Sequence, residues 1–169
     1  YYGMSGIELS DLDRDGDTDI LMTNGDILDL ELPQGIDPNA YHGVSWLEND
    51  GSGQFNNHHE ITRHWGAYSV RSADLDGDTD LDLVLVGMQV ERYWPGFKRQ
   101  DMVWLENDGN QNFTRHPVKL DMPLLITVEV ADLNGDGVPE VLTGTHNFVG
   151  GAGGHRLIMF NIDTSEKTR

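Results

Sequence analysis

Apolar and polar positions alternate in short runs, and the runs recur along the chain. Residues 20–22 (Ile-Leu-Met), 83–86 (Leu-Val-Leu-Val) and 141–142 (Val-Leu) are apolar and partly β-branched, which suits a pleated, buried strand. A further strand is predicted before each of them, at residues 6–10, 68–73 and 126–131. A third type carries a tryptophan, at residues 44–48 and 102–106. Asn-Asp-Gly follows each Trp strand as a hairpin signal. Fourth strands are predicted at residues 55–61 and 113–118. No segment has the spacing of an amphipathic helix. The pattern predicts an all-β chain.

The strands group into repeats. Trp46-Leu47-Glu48-Asn49-Asp50-Gly51 returns as Trp104-Leu105-Glu106-Asn107-Asp108-Gly109, 58 residues later. Asp74 and Asp132 are also 58 apart, whereas Asp11 and Asp74 are 63 apart, which places a longer connection in the first unit. Such self-similarity marks a repeat architecture. Four short antiparallel strands per unit describe β-propeller blades, approximately residues 1–64, 65–121 and 122–169, forming one propeller segment. The third unit is incomplete. Met159-Phe160-Asn161 stands where Trp-Leu-Glu is expected, and no fourth strand is predicted after it. Closed propellers have roughly four to eight blades, so the expected partner is either further blades of the same protein or another protein chain covering the open edges.

Three loops carry the candidate chemistry: DLDRDGDTD, DLDGDTDLD and DLNGDGVPE. Each places oxygen side chains at positions 1, 3, 5 and 9: Asp11, Asp13, Asp15 and Asp19; Asp74, Asp76, Asp78 and Asp82; Asp132, Asn134, Asp136 and Glu140. Position 7 (Asp17, Asp80, Val138) offers its backbone carbonyl. Calcium takes six to eight oxygen ligands, and alternating carboxylates in a tight turn supply them. Up to three Ca2+ ions are therefore expected, in a structural role, because a cage filled with protein oxygens leaves no open position for a substrate. Thr79 stands at position 6 of the second loop, where the others have Gly16 and Gly137, and a sharp turn there favours glycine.

The Gly66-Ala67-Tyr68-Ser69-Val70 segment, the Asp loop and Leu83-Val84-Leu85-Val86-Gly87 together resemble the FG-GAP repeat of integrin-α-type calcium-binding propellers. The Trp-Leu-Glu-Asn-Asp-Gly element is similar to the VCBS or FG-GAP-like repeats of bacterial secreted and surface proteins. The Gly-Ala-Pro that gives the family part of its name is absent. The resemblance implies that each Asp loop joins the first and second strands of a blade. It also implies a non-enzymatic interaction or scaffold module working outside the cytoplasm: secreted, periplasmic or at the cell surface. The alternative is part of a secreted propeller-fold polysaccharide lyase or other carbohydrate-active enzyme, with carbohydrate as ligand and His64, Tyr68, Tyr93 and His146 as its acid–base candidates.

Charge narrows the partners. The formal net charge is −18, which disfavours nucleic acid and anionic membranes. No apolar run reaches the ~20 residues of a membrane span, so no direct insertion is expected. There is no cysteine. Extracellular calcium is plentiful enough for weak loops, which also points outside the cytoplasm.

Strand alternation puts the connections between second and third strands, and those between blades, on the face opposite the Asp loops. Tyr41, His42, His64, Trp65 and His146 are expected there. So is a basic aromatic knob, Arg92-Tyr93-Trp94-Pro95-Gly96-Phe97-Lys98-Arg99, of the composition found at interface hot spots. Trp46 and Trp104 are expected to pack between sheets, and the Asn-Asp-Gly turns to be plain hairpins, the alternative being that they approach the Asp loops, which lie on the same face.

Overall fold

A computed structural model describes residues 3–26, 41–89, 100–118, 124–146 and 157–164. Within them lie eleven strands and no helix. The knob at residues 92–99, with Tyr93, falls outside the described residues. So does the Gly-rich stretch at residues 148–154.

The strands form three antiparallel sheets. The first comprises β1 (Gly3–Ser10), β2 (Asp19–Asp26), β3 (Gly43–Glu48) and β4 (Asn57–Arg63), in that order. The second repeats the order with β5 (Ala67–Ala73), β6 (Asp82–Gly87), β7 (Met102–Asn107) and β8 (Phe113–Val118). The third has β9 (Leu125–Ala131), β10 (Glu140–Thr145) and β11 (Leu157–Phe160), with β10 in the middle. Chain order and spatial order agree, as in a meander, and sheets of this kind are blades of a propeller. The Trp-less third unit supplies three strands among the described residues, as its degenerate sequence predicts. Pro117 is accommodated because β8 is an outer edge strand.

Period-two alternation explains the packing. In β2, Leu21 and Thr23 are buried while Ile20 and Met22 are half-buried on the other face. The buried set, with Val44 and Trp46, meets Val70, Leu83, Leu85, Val103 and Leu105 of the second sheet. The opposite face of the second sheet sends Val84, Val86, Met102 and Trp104 against Leu125, Val128 and Val141. The second sheet is thus covered on both faces, and every residue of β6 is buried. Each such Leu or Val contributes roughly 1.5–3 kcal/mol through burial. Both tryptophans lie between sheets, as expected.

Inner strands are tied laterally by polar groups. Ser72 donates its backbone N–H and its hydroxyl to Glu8 at 2.9 Å. Arg71 makes a two-pronged ion pair with Glu129. Glu8, Arg71 and Glu129 each stand three residues before their Asp loop. One repeat position thus carries alternating charge across three neighbouring strands.

Candidate metal centres

The three Asp loops share one hydrogen-bond plan. The position-1 aspartate accepts the N–H of position 6: Gly16 to Asp11 at 3.2 Å, Thr79 to Asp74 at 3.1 Å, Gly137 to Asp132 at 2.9 Å. Position 3 accepts from position 5, and position 5 from position 7, in every loop. These bonds wrap the backbone around the side-chain oxygens. Position 6 is left-handed throughout, with φ of 98° at Gly16, 82° at Thr79 and 88° at Gly137. Thr79 therefore adopts the turn that glycine favours, at the expense of strain in a β-branched residue.

One carboxylate oxygen each from Asp11, Asp13 and Asp15 lies within 4.8 Å of the others, and Asp74, Asp76 and Asp78 form an equal trio. Two charges 4 Å apart repel by roughly 4 kcal/mol at an effective dielectric of ~20. The crowding shows in the acidities. Burial, then the charges of Asp15, Asp19 and Glu48, hold the Asp13 carboxyl above its ordinary range despite an N–H from Asp15. Asp78 accepts the Asp80 N–H, which pulls its pKa down. Burial and the charges of Asp76 and Asp80 outweigh that bond and leave it raised. In the third loop Asn134 replaces the middle carboxylate, and Asp132 is lowered by the N–H groups of Gly137 and Gly135. Asp11 Oδ1 is buried without a hydrogen-bond partner, a costly state that a cation would relieve. This donor set suits a hard, oxygen-seeking cation.

Position 9 sits deeper. Asp19 and Asp82 are fully buried, and neither belongs to the carboxylate trio of its loop. Asp19 accepts the N–H of Leu12 at 3.1 Å and that of Asn49 at 2.8 Å. Asp82 repeats this with Leu75 and Asn107. Burial raises Asp82 to about 6. Glu140, one methylene longer, reaches the Leu133 N–H and the Asn134 side chain instead. Leaving a carboxylate in this buried place is stabilised only by its donors, because buried charge must be paired or hydrogen-bonded.

The Asn-Asp-Gly turns are more than plain hairpins: they approach the Asp loops, the alternative reading of the sequence. Asn49 donates from its side chain to the Thr18 carbonyl, and Asn107 does the same to Leu81. A Cβ on Gly51 would come within 2.6 Å of Asp17 Oδ2, and one on Gly109 would strike Asp80. Loop and turn are therefore one unit at one end of each of the first two sheets. Arg14, at a left-handed φ of 63°, reaches from the first loop to Asp80 of the second at 3.8 Å.

A second repeated cluster was not visible in the sequence. His59 stacks on Trp46 at 4.5 Å and meets Glu48 at 2.8 Å. His116 lies 4.6 Å from Trp104 and 2.7 Å from Glu106. The strand register puts each His directly opposite its Trp.

The opposite face differs from expectation. Tyr41 is exposed, but His42, His64 and Trp65 are buried. His64 lies between Arg115 at 3.2 Å and the Gln89 carboxamide at 3.0 Å. Burial and then the Arg115 charge push its pKa down to about 3. His64 is a locked neutral group here, remote from the role of a solvent-facing base. Tyr68 and His146 are partly exposed.

Repeated blades with acidic loops on one face define a propeller-type repeat protein. The family model for the FG-GAP-like repeat matches residues 11–85, and the chain carries this repeat. The match spans the first two Asp loops and the strands between them. No curated protein matches the sequence.

Proposed function

We propose that the chain is a calcium-binding propeller segment acting outside the cytoplasm as a protein-interaction or scaffold module. The observation that carries this reading is the buried, unpartnered Asp11 Oδ1 beside the Asp13 and Asp15 carboxylates, in a loop whose backbone plan recurs twice. Asp11, Asp13 and Asp15 would hold the first ion, and Asp74, Asp76 and Asp78 the second. Asp132, Asn134 and Asp136 would hold a third, with the position-7 carbonyls of Asp17, Asp80 and Val138 and the position-9 carboxylates completing the sets. Bound calcium neutralises the crowded carboxylates and fixes the loop-and-turn units. The chain's own residues then present rigid blade edges and faces to a partner, either further blades or another protein. Calcium is abundant outside the cytoplasm, which supports that location.

Calorimetric titration of the EDTA-stripped, dialysed chain with calcium tests the reading. Two to three ions per chain are expected, with one lost in Asp15→Ala. Absence of calcium binding at millimolar concentration overturns it.

A further inference from the structure

A cleft of about 630 Å3 opens between the first and second sheets on the Asp-loop face, within the ~300–1,000 Å3 typical of small-molecule sites. Its apolar lining is Trp46, Ile61 and Phe113. The β3–β4 side contributes Glu48, His59 and Glu60, and the β7–β8 turn contributes three consecutive carboxamides, Asn110, Gln111 and Asn112.

Each carboxylate of the lining has a hydrogen-bond partner. Glu48 faces His59 and accepts from Asn57 at 3.2 Å. Glu60 is held by Arg63 at 2.9 Å, and Asp13 accepts the N–H of Asp15 within its loop. Among the described residues no Lys or Arg lines the cleft, so an anion has no counter-charge. Of the carboxylates, Glu48 and Glu60 are engaged by His59, Asn57 and Arg63, and Asp13 belongs to the loop proposed above to hold calcium, on which this inference rests. What is left is the Gln111 carboxamide and the side-chain oxygens of Asn110 and Asn112, whose amide groups donate to Asp108, beside the half-buried Ile61 and Phe113 and the edge of Trp46 under His59.

Gln111 is the residue out of place. Its φ is 58°, while the equivalent position of the first sheet's turn is Gly53 at 75°. A non-glycine residue in this region is strained, and such strain concentrates at functional sites. The Gln111 side chain makes no hydrogen bond among the described residues.

The Glu48–His59 pair has the form of an acid–base dyad, but its counterpart argues otherwise. Glu106 and His116 make the same contact beside Trp104, with His116 only 8% exposed. A dyad repeated where no substrate can reach is a packing element, so the cleft is read as a binding site and not a reactive one.

We infer that this cleft binds an uncharged, hydroxyl-rich ligand, such as a sugar ring, with the Gln111 carboxamide as a selecting contact. Hydroxyls need both donors and acceptors, and the C–H face of a sugar needs an apolar floor.

Saturation-transfer difference NMR on the full chain tests this. The neutral probes are methyl α-glucoside, methyl β-galactoside and N-acetylglucosamine. The charged probes are putrescine and glucuronate. At least one neutral probe should give transfer that falls fivefold or more in Gln111→Gly, while the melting midpoint of that variant stays level or rises. The inference is overturned if no neutral probe gives transfer, if a charged probe exceeds every neutral one, or if transfer is unchanged in Gln111→Gly.

Discussion

At the scale of single residues, Thr79 and His64 deviate most from their ordinary states, and each predicts a measurement. Thr79 has a φ of 82°, and its strain in the left-handed region is of order 1–3 kcal/mol. Thr79→Gly relieves that strain and gives back part of the gain through the freer unfolded chain. The variant should be more stable by about 1 kcal/mol and bind calcium in the second loop at least as tightly. A lower urea midpoint, or weaker calcium, would show that the Thr79 side chain is needed. His64 gives a pH dependence. Its folded pKa is about 3 against an ordinary 6.5, so between those values the unfolded chain takes up a proton that the folded chain refuses. The stability from neutral His64 is complete above pH 6.5 and declines as pH falls through that window. Asp82 acts with the opposite sign in the calcium-free chain. Its folded pKa of about 6 exceeds the ordinary 3.8, so its contribution is full below 3.8 and is lost as pH rises to 6. Urea midpoints from pH 7 to pH 4 in EDTA should fall less steeply for His64→Gln than for the parent chain. Equal slopes would mean that His64 is not the group responsible. Thr79 was legible in the sequence, as a break in a glycine position. The state of His64 was not, because it depends on Arg115 and Gln89, which only the packed sheets bring to it.

At the scale of elements, the loop-and-turn unit is where stability and metal affinity meet. The Asn49 side chain donates to Thr18 and accepts from the N–H groups of Gly51 and Gly53. A typical hydrogen bond contributes about 1 kcal/mol net. Asn49→Ala should therefore cost roughly 1–2 kcal/mol and also weaken calcium in the first loop, because it loosens the Asp19 anchor. Unchanged calcium affinity in that variant would show that turn and loop are uncoupled. Metal itself should act on the whole fold. Binding to the folded chain alone adds roughly 2–4 kcal/mol per site at 100–1,000 times Kd, so melts in EDTA and in millimolar calcium should differ by several degrees. Coincident melts would remove calcium from the account. The strand order and the Asp loops were readable because alternation and carboxylate spacing are local. The Trp–His–Glu clusters were not, for a specific reason. Aligning the repeats on Phe55 and Phe113 sets His116 against His58, yet the structure pairs His59 with Trp46. The first turn holds one residue more before β4 than the second does before the matching point of β8. An insertion of one residue exchanges the two faces of a strand, and nothing local announces it.

At the scale of the whole molecule, the repeat leaves two sheet faces without a neighbour among the described residues. Ile7, Ile20, Met22 and Leu47 of the first sheet occupy the positions that Val70, Leu83, Leu85 and Leu105 hold in the second. In the second sheet this face is buried beneath Trp46 and its neighbours. In the first it is open, with Ile7 55% and Leu9 67% exposed. The third sheet is open on its far side, where Leu157 and Met159 stand out. One end is thus shaped to receive a sheet face and the other to supply one, which is a head-to-tail arrangement. Exposed contiguous apolar surface of this kind marks an interaction site. With no further blade or partner present, these faces should find each other. The isolated chain is expected to self-associate at micromolar concentration, giving a weight-average mass above that of one chain in light scattering. Leu9→Lys combined with Leu157→Lys places a charge on each face and should return the mass towards 18.9 kDa. The fold should survive, since both side chains are already in solvent. A parent chain that is monodisperse and monomeric would show that the terminal faces are stable in water and need no covering.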